Sequence, residues 1–196
     1  MTYKLIIGIV VLVVGLLGWT TYATGRGKYE TAAFELKEKE GKFEIRAYRG
    51  LALVSTPMAE TGKNSMNDGF GKLFRYISGK NAQNQEIAMT TPVFVGPAGS
   101  EERVMSFVVP AEIASQGSPK PSDQRVFLSE MDSGTYVVFR FSGWRSSKSE
   151  AKALQKLQTW VATKELKVTG SPIFAYYDPP WTPGPMRRNE VLLPVK

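Results

Sequence analysis

The sequence predicts an α+β fold. Two β-β-α-β-β units are expected to form one twisted antiparallel sheet or distorted barrel, with two flanking helices and one N-terminal transmembrane helix. Three observations predict it. Short runs of β-branched and aromatic residues recur between glycine and proline turns. Two segments show helical apolar spacing instead. The order of these segments occurs twice, which reads as an internal duplication.

The N-terminal element is an apolar and glycine run from Leu5 to Trp19, preceded by Lys4 and followed by Arg26 and Lys28. As a helix it spans about 22 Å, or about 28 Å with Thr20–Ala23. This suits a short membrane anchor or the core of a signal peptide, and Trp19 and Tyr22 stand where interfacial aromatics belong. Residues 1–23 are thus expected to be a transmembrane anchor or signal segment and 24–33 a polar linker. The domain is expected on the outer side of a cytoplasmic membrane, as in a single-pass protein.

Residues 34–196 are one domain's worth of chain. Strands are expected at Phe34–Lys39, Phe43–Tyr48 and Leu51–Thr56, with Gly41 turning the first pair. Met66, Phe70, Leu73 and Ile77 then predict a helix over Ser65–Ile77, ended by Gly79-Lys80-Asn81. Strands follow at Glu86–Val95 and Val104–Val109, and Gly117–Ser122 is a loop. Strands are expected again at Val126–Met131 and Thr135–Ser142 around Gly134. Ser147 with Glu150 predicts a capping box opening a helix that buries Leu154, Leu157 and Val161. Ile173–Asp178 and Glu190–Val195 complete the pattern. Phe34 to Phe43 and Phe127 to Tyr136 share a nine-residue spacing, with Gly41 and Gly134 seven residues after the first member of each pair.

The composition narrows the chemistry. The chain has no cysteine and no histidine. It therefore lacks disulfides, thiolate zinc sites, a cysteine nucleophile, and the usual general base and haem ligand. The net charge is +7, spread along the chain without a basic block, so a nucleic-acid tail is not expected. Gly69-Phe70-Gly71-Lys72 lacks the spacing of a phosphate loop, and no zinc spacing or nucleophile elbow occurs. An enzyme is not expected.

Two stretches carry a resemblance. One is Glu86-Ile87-Ala88-Met89-Thr90-Thr91-Pro92-Val93. The other is Tyr177-Asp178-Pro179-Pro180-Trp181-Thr182-Pro183, continuing through Arg187-Arg188-Asn189-Glu190-Val191. With Phe139–Gly143 and Arg75–Gly79, they resemble the signature segments of the SOUL haem-binding family. The resemblance covers about Phe34 to Lys196. It implies a duplicated α+β fold holding haem or a related porphyrin in a shallow apolar groove, near Met66–Ile77 and Asp178–Arg188. It also implies a propionate contact at Arg75.

The residues agree with such a ligand. A porphyrin is a flat apolar disc with two carboxylates, and its site needs apolar walls and a basic rim. Phe70 and Phe74 on the helix, and Tyr177, Trp181 and Met186 in the second stretch, are candidate wall. Lys72, Arg75 and Arg187 are candidate rim. With no histidine, iron could be held by Met, Tyr or Lys, and hydrophobic binding with a weak axial bond or none is expected. The expected function is a membrane-tethered haem or porphyrin carrier or buffer. The alternative is an effector-sensing domain of the same fold, holding bulky apolar cations around a buried acid, for which Glu190 is the candidate.

Overall fold

The computed structural model describes residues 29–58, 65–98 and 102–196. Thr31–Lys196 forms one compact unit. The predicted span Leu5–Trp19 lies outside the described residues. Among the described residues, no helix is long and apolar enough to cross a membrane.

In chain order the elements are β1 (Glu30–Thr31), β2 (Glu35–Glu40), β3 (Phe43–Tyr48), β4 (Leu51–Pro57), α1 (Ser65–Ile77), β5 (Thr90–Thr91), β6 (Val93–Ala98) and β7 (Glu102–Val108). Then come α2 (Ala111–Gln116), β8 (Phe127–Met131), β9 (Gly134–Phe141), α3 (Ser147–Thr163), β10 (Ile173–Tyr176), a 3-10 turn (Gly184–Met186) and β11 (Asn189–Val195). The predicted strand Glu86–Val95 is divided. Pro92 has no N–H to give a ladder, and regular pairing resumes only at Val93. Part of the predicted linker is ordered: Ala32 is buried, and its N–H donates to the Thr91 carbonyl.

Nine strands form one antiparallel sheet in the order β2-β3-β9-β11-β10-β6-β7-β4-β8. The sheet is open, with β2 and β8 at its edges, so the barrel alternative gives way to the twisted sheet. Its β2 edge is exposed throughout, charged along Glu35–Glu40 and bulged between Leu36 and Glu38, which discourages further pairing.

Read outward from the centre, β6-β7-β4-β8 mirrors β10-β11-β9-β3. The duplication is therefore visible in the strand order, with one correction. By position in the sheet, β8 and β9 correspond to β3 and β4, not to β2 and β3 as the nine-residue spacing suggests. Neither β3–β4 nor β8–β9 is a paired hairpin. Instead β3 pairs with β9, and β4 with β8, so each unit lends a strand to the other.

Both faces of the sheet are covered in part. On the outer face α1 packs Leu73, Tyr76 and Ile77 against Val54, Val95, Met105 and Phe107. A Cβ on Gly69 would lie 3.5 Å from the Met105 methyl, so this glycine lets the helix approach β7 closely. On the other half α3 packs Ala153, Leu157, Trp160 and Val161 against Val137, Phe139, Val191 and Leu193. The inner face carries Tyr48, Leu53, Phe94, Met131, Tyr136 and Leu192. Successive residues of each strand alternate between these clusters, as period-2 geometry requires.

The α3 cap sits one residue earlier than expected. Ser146 is the N-cap and Ser149 closes the box reciprocally. Glu150 turns inward instead, 6% exposed, where the Tyr176 hydroxyl and the Arg145 and Arg103 guanidiniums donate to it.

Candidate haem-binding groove

The candidate site begins on α1. Its 3.6-residue period places Leu73 and Ile77 in the core and turns the flank of the same helix to solvent. Phe70 and Phe74, four residues apart, lie on that flank with ring centroids 6.0 Å apart and planes 14° from parallel. They are 38% and 50% exposed, which is high for phenylalanine. Phe70 is fixed from behind by an edge contact with Phe107 at 5.2 Å. The pair thus presents a flat, rigid aromatic surface half in water.

On another side of α1 lies a cavity of about 330 Å³ lined by Lys72, Arg75, Tyr76, Lys80, Pro121 and Asp123, among others. The lining is strongly cationic. Lys72 is buried and donates to Asp68 one turn back, and this bond holds the Asp68 carboxyl below its ordinary range. Asp123, the acidic residue in the lining, is bonded by Arg125. Burial pushes the Tyr76 hydroxyl up to about 12, so it stays protonated and donates to the Pro119 carbonyl at 2.8 Å. Lys80 lies near the end of the same helix and adds a third positive charge.

The second candidate stretch is the loop between β10 and β11. It is tied to itself and to the end of β9. Arg187 donates to the Thr182 carbonyl at 2.8 Å and to the Pro180 carbonyl, and lies 4.1 Å over the Trp144 ring. The indole nitrogen occupies the space a side chain at Gly184 would need: a Cβ there would be 2.7 Å away. Asn189 donates to the Gly143 carbonyl and the Gly143 N–H to the Gly184 carbonyl. The knot leaves Trp181 82% exposed and Met186 48% exposed on its surface.

The expected residues therefore fall into three groups. On α1, Phe70 and Phe74 pair on one flank, and Lys72 and Arg75 meet at the cavity on another. Trp181 and Met186 are presented by the loop, whose shape Arg187 maintains with its own guanidinium. Tyr177 belongs elsewhere: its hydroxyl donates to Glu190 at 2.8 Å on the inner side of the sheet. Lys80 was missed by the sequence reading, and its signal was its place in the Gly79-Lys80-Asn81 helix stop, beside Arg75 and Tyr76.

Glu190 is completely buried and fully engaged. Arg46, itself 1% exposed, grips it through two nitrogens at 2.7 and 3.0 Å, and Arg188 adds two more contacts at 2.8 and 2.9 Å. Burial alone would raise its carboxyl, but the Arg46 hydrogen bonds and charge, aided by Arg188 and Tyr177, hold it below its ordinary range.

The model of the SOUL heme-binding protein family matches residues 29–194. The chain belongs to this family. Among SOUL relatives, mouse Heme-binding protein 2 is 30% identical over 146 residues, covering 71% of each chain. Heme-binding protein 1 of Xenopus tropicalis is 30% identical over 165 residues, covering 79% of this chain and 84% of its own. Among solved structures, the EcmrR C-terminal domain superposes with a TM-score of 0.60, at 13% identity, over 83% of this chain and 98% of its own. That last likeness is one of fold alone.

Proposed function

We propose that this SOUL domain binds haem or a related porphyrin at the α1 groove. The observation that carries the reading is α1 itself, which exposes the Phe70–Phe74 rings on one flank and lines a cationic cavity with Lys72 and Arg75 on another, with Lys80 just beyond its end. The disc of a porphyrin covers the aromatic face, and its propionates meet the cations as charge-assisted hydrogen bonds. Trp181 and Met186 supply further apolar contact from the loop. The chain offers no histidine, so ring stacking and propionate contacts account for binding, without a protein-supplied imidazole on the iron.

The names of the relatives support this ligand class. The fate of Glu190 supports it over the cation-sensing alternative. An acid already held by two guanidiniums has no charge left for a cationic ligand. The membrane tether belongs to the same proposal and rests on the Leu5–Trp19 run. A porphyrin partitions into bilayers, and a domain anchored there can act as its carrier or buffer, on the outer side of the membrane. Carbonate extraction tests the tether: retention in the membrane pellet is expected, and release contradicts it.

Haemin titration tests the ligand. A saturable Soret shift is expected, and Arg75→Glu is expected to weaken binding about tenfold or more, since a propionate then meets a like charge. Absence of a shift at tens of micromolar haemin contradicts the proposal.

A further inference from the structure

The inner face of the sheet holds a larger hollow, of about 870 Å³, on the side of the sheet opposite α1. Its origin is in the sequence. At successive inner-facing positions the central strands and β8 carry small residues: Ser55 on β4, Gly96 on β6, Ser106 on β7 and Ser129 on β8. Larger residues stand around them, with Leu53, Phe94, Met131 and Ile173 as apolar walls. The hollow is therefore built by small side chains in the middle of a sheet face that is otherwise packed.

The three serines are linked. Ser55 Oγ lies 2.7 Å from Ser106 Oγ and 2.6 Å from Ser129 Oγ. Three hydroxyls own three hydrogens, and two contacts use two of them. One O–H is left over, together with outward-facing lone pairs, to meet whatever lies in the hollow. The charged residues of the lining, Glu130, Asp132 and Lys196, are all exposed and so belong to its rim. An ionised ligand group on the serine floor would lose water and gain no counter-charge.

We propose that this hollow is a second binding site, for an uncharged amphiphile: an apolar body with one hydroxyl, carbonyl or amide seated on the Ser55–Ser106–Ser129 chain. Haem does not suit it, because its two propionates would face a floor without cations. The two faces of the sheet thereby take ligands of different chemistry, and the inner site stands or falls independently of the α1 groove.

Nile red, uncharged and carrying one carbonyl, is the probe. The full chain is expected to bind it saturably at one site, with enhanced, blue-shifted emission. Ser129→Phe fills the hollow from the edge strand and should abolish the signal. Ser55→Ala removes the central hydroxyl and should weaken binding about tenfold, with the fold checked in both variants by circular dichroism. Arg75→Glu should leave Nile red binding unchanged. The proposal is overturned if Nile red does not bind, if both serine variants bind it as the unaltered chain does, or if Arg75→Glu removes the signal.

Discussion

Arg46 and Glu190 are 144 positions apart and meet as a buried, two-nitrogen ion pair at the inner face of the sheet. Removing one partner of such a pair strands the other. Arg46→Met is therefore expected to cost about 3 kcal/mol or more, measured by chemical denaturation. The pair also sets a pH dependence. The Glu190 carboxyl is lower in the folded chain than in the unfolded one, so the stability it contributes is present above the ordinary carboxylate range. It is lost as pH falls through and below that range. Unfolding free energies between pH 7 and 3 should decline more gently in the Arg46→Met, Glu190→Leu double variant than in the unaltered chain; an equal decline places the acid sensitivity elsewhere. In the sequence Glu190 stands out as a candidate buried acid, but its partner does not. Phe43-Glu44-Ile45-Arg46-Ala47-Tyr48 alternates like a strand with one wet face. In the structure both faces are covered: Phe43 and Ile45 pack toward α3, and Arg46 and Tyr48 turn to the opposite face.

At the scale of elements, capping and loop closure give direct tests. Ser146→Ala removes the α3 N-cap and should cost about 1 kcal/mol, read from the thermal or denaturant midpoint. Ser147→Ala should cost much less, although the spacing of Ser147 and Glu150 fits the sequence signature of a capping box. Two adjacent serines make that signature ambiguous by one residue, and the need of Tyr176 and Arg145 for a buried acceptor resolves it. In the β10–β11 loop, Gly184→Ala must displace the Trp144 indole and with it the Arg187 guanidinium stacked on the ring. A changed tryptophan emission spectrum is expected, together with weaker haemin binding through the displaced Trp181 and Met186. Helix α1 was legible because its apolar period is regular, and the division of the Glu86–Val95 strand was foreshadowed only by Pro92. What periodicity could not show is which flank of α1 is left bare. That depends on β7 placing Phe107 behind Phe70 and on the packing that leaves Phe74 half exposed.

At the scale of the molecule, the two repeats are not separate folding units. The pairing of β3 with β9 and of β4 with β8 crosses between them. A chain ending after residue 109 would leave β3 without β9 and β4 without β8. It is expected to lack a cooperative unfolding transition, whereas the whole domain should show one. A cooperative transition in the half-chain would contradict this reading of the strand exchange. The same exchange explains why the repeat was visible in the sequence yet aligned one strand out of step: segment order survives duplication, but strand partners are decided only in the closed sheet. On the outer surface α1 exposes the Phe70–Phe74 rings and lines a cationic cavity, and the proposed porphyrin binding rests on these two features. The most direct test is haemin titration followed in the Soret band, comparing the unaltered chain with Phe74→Ser and Arg75→Glu. Saturable binding that both substitutions weaken, with Ser129→Phe unaffected, is the predicted result. Binding indifferent to both α1 substitutions, or no Soret change, would contradict it.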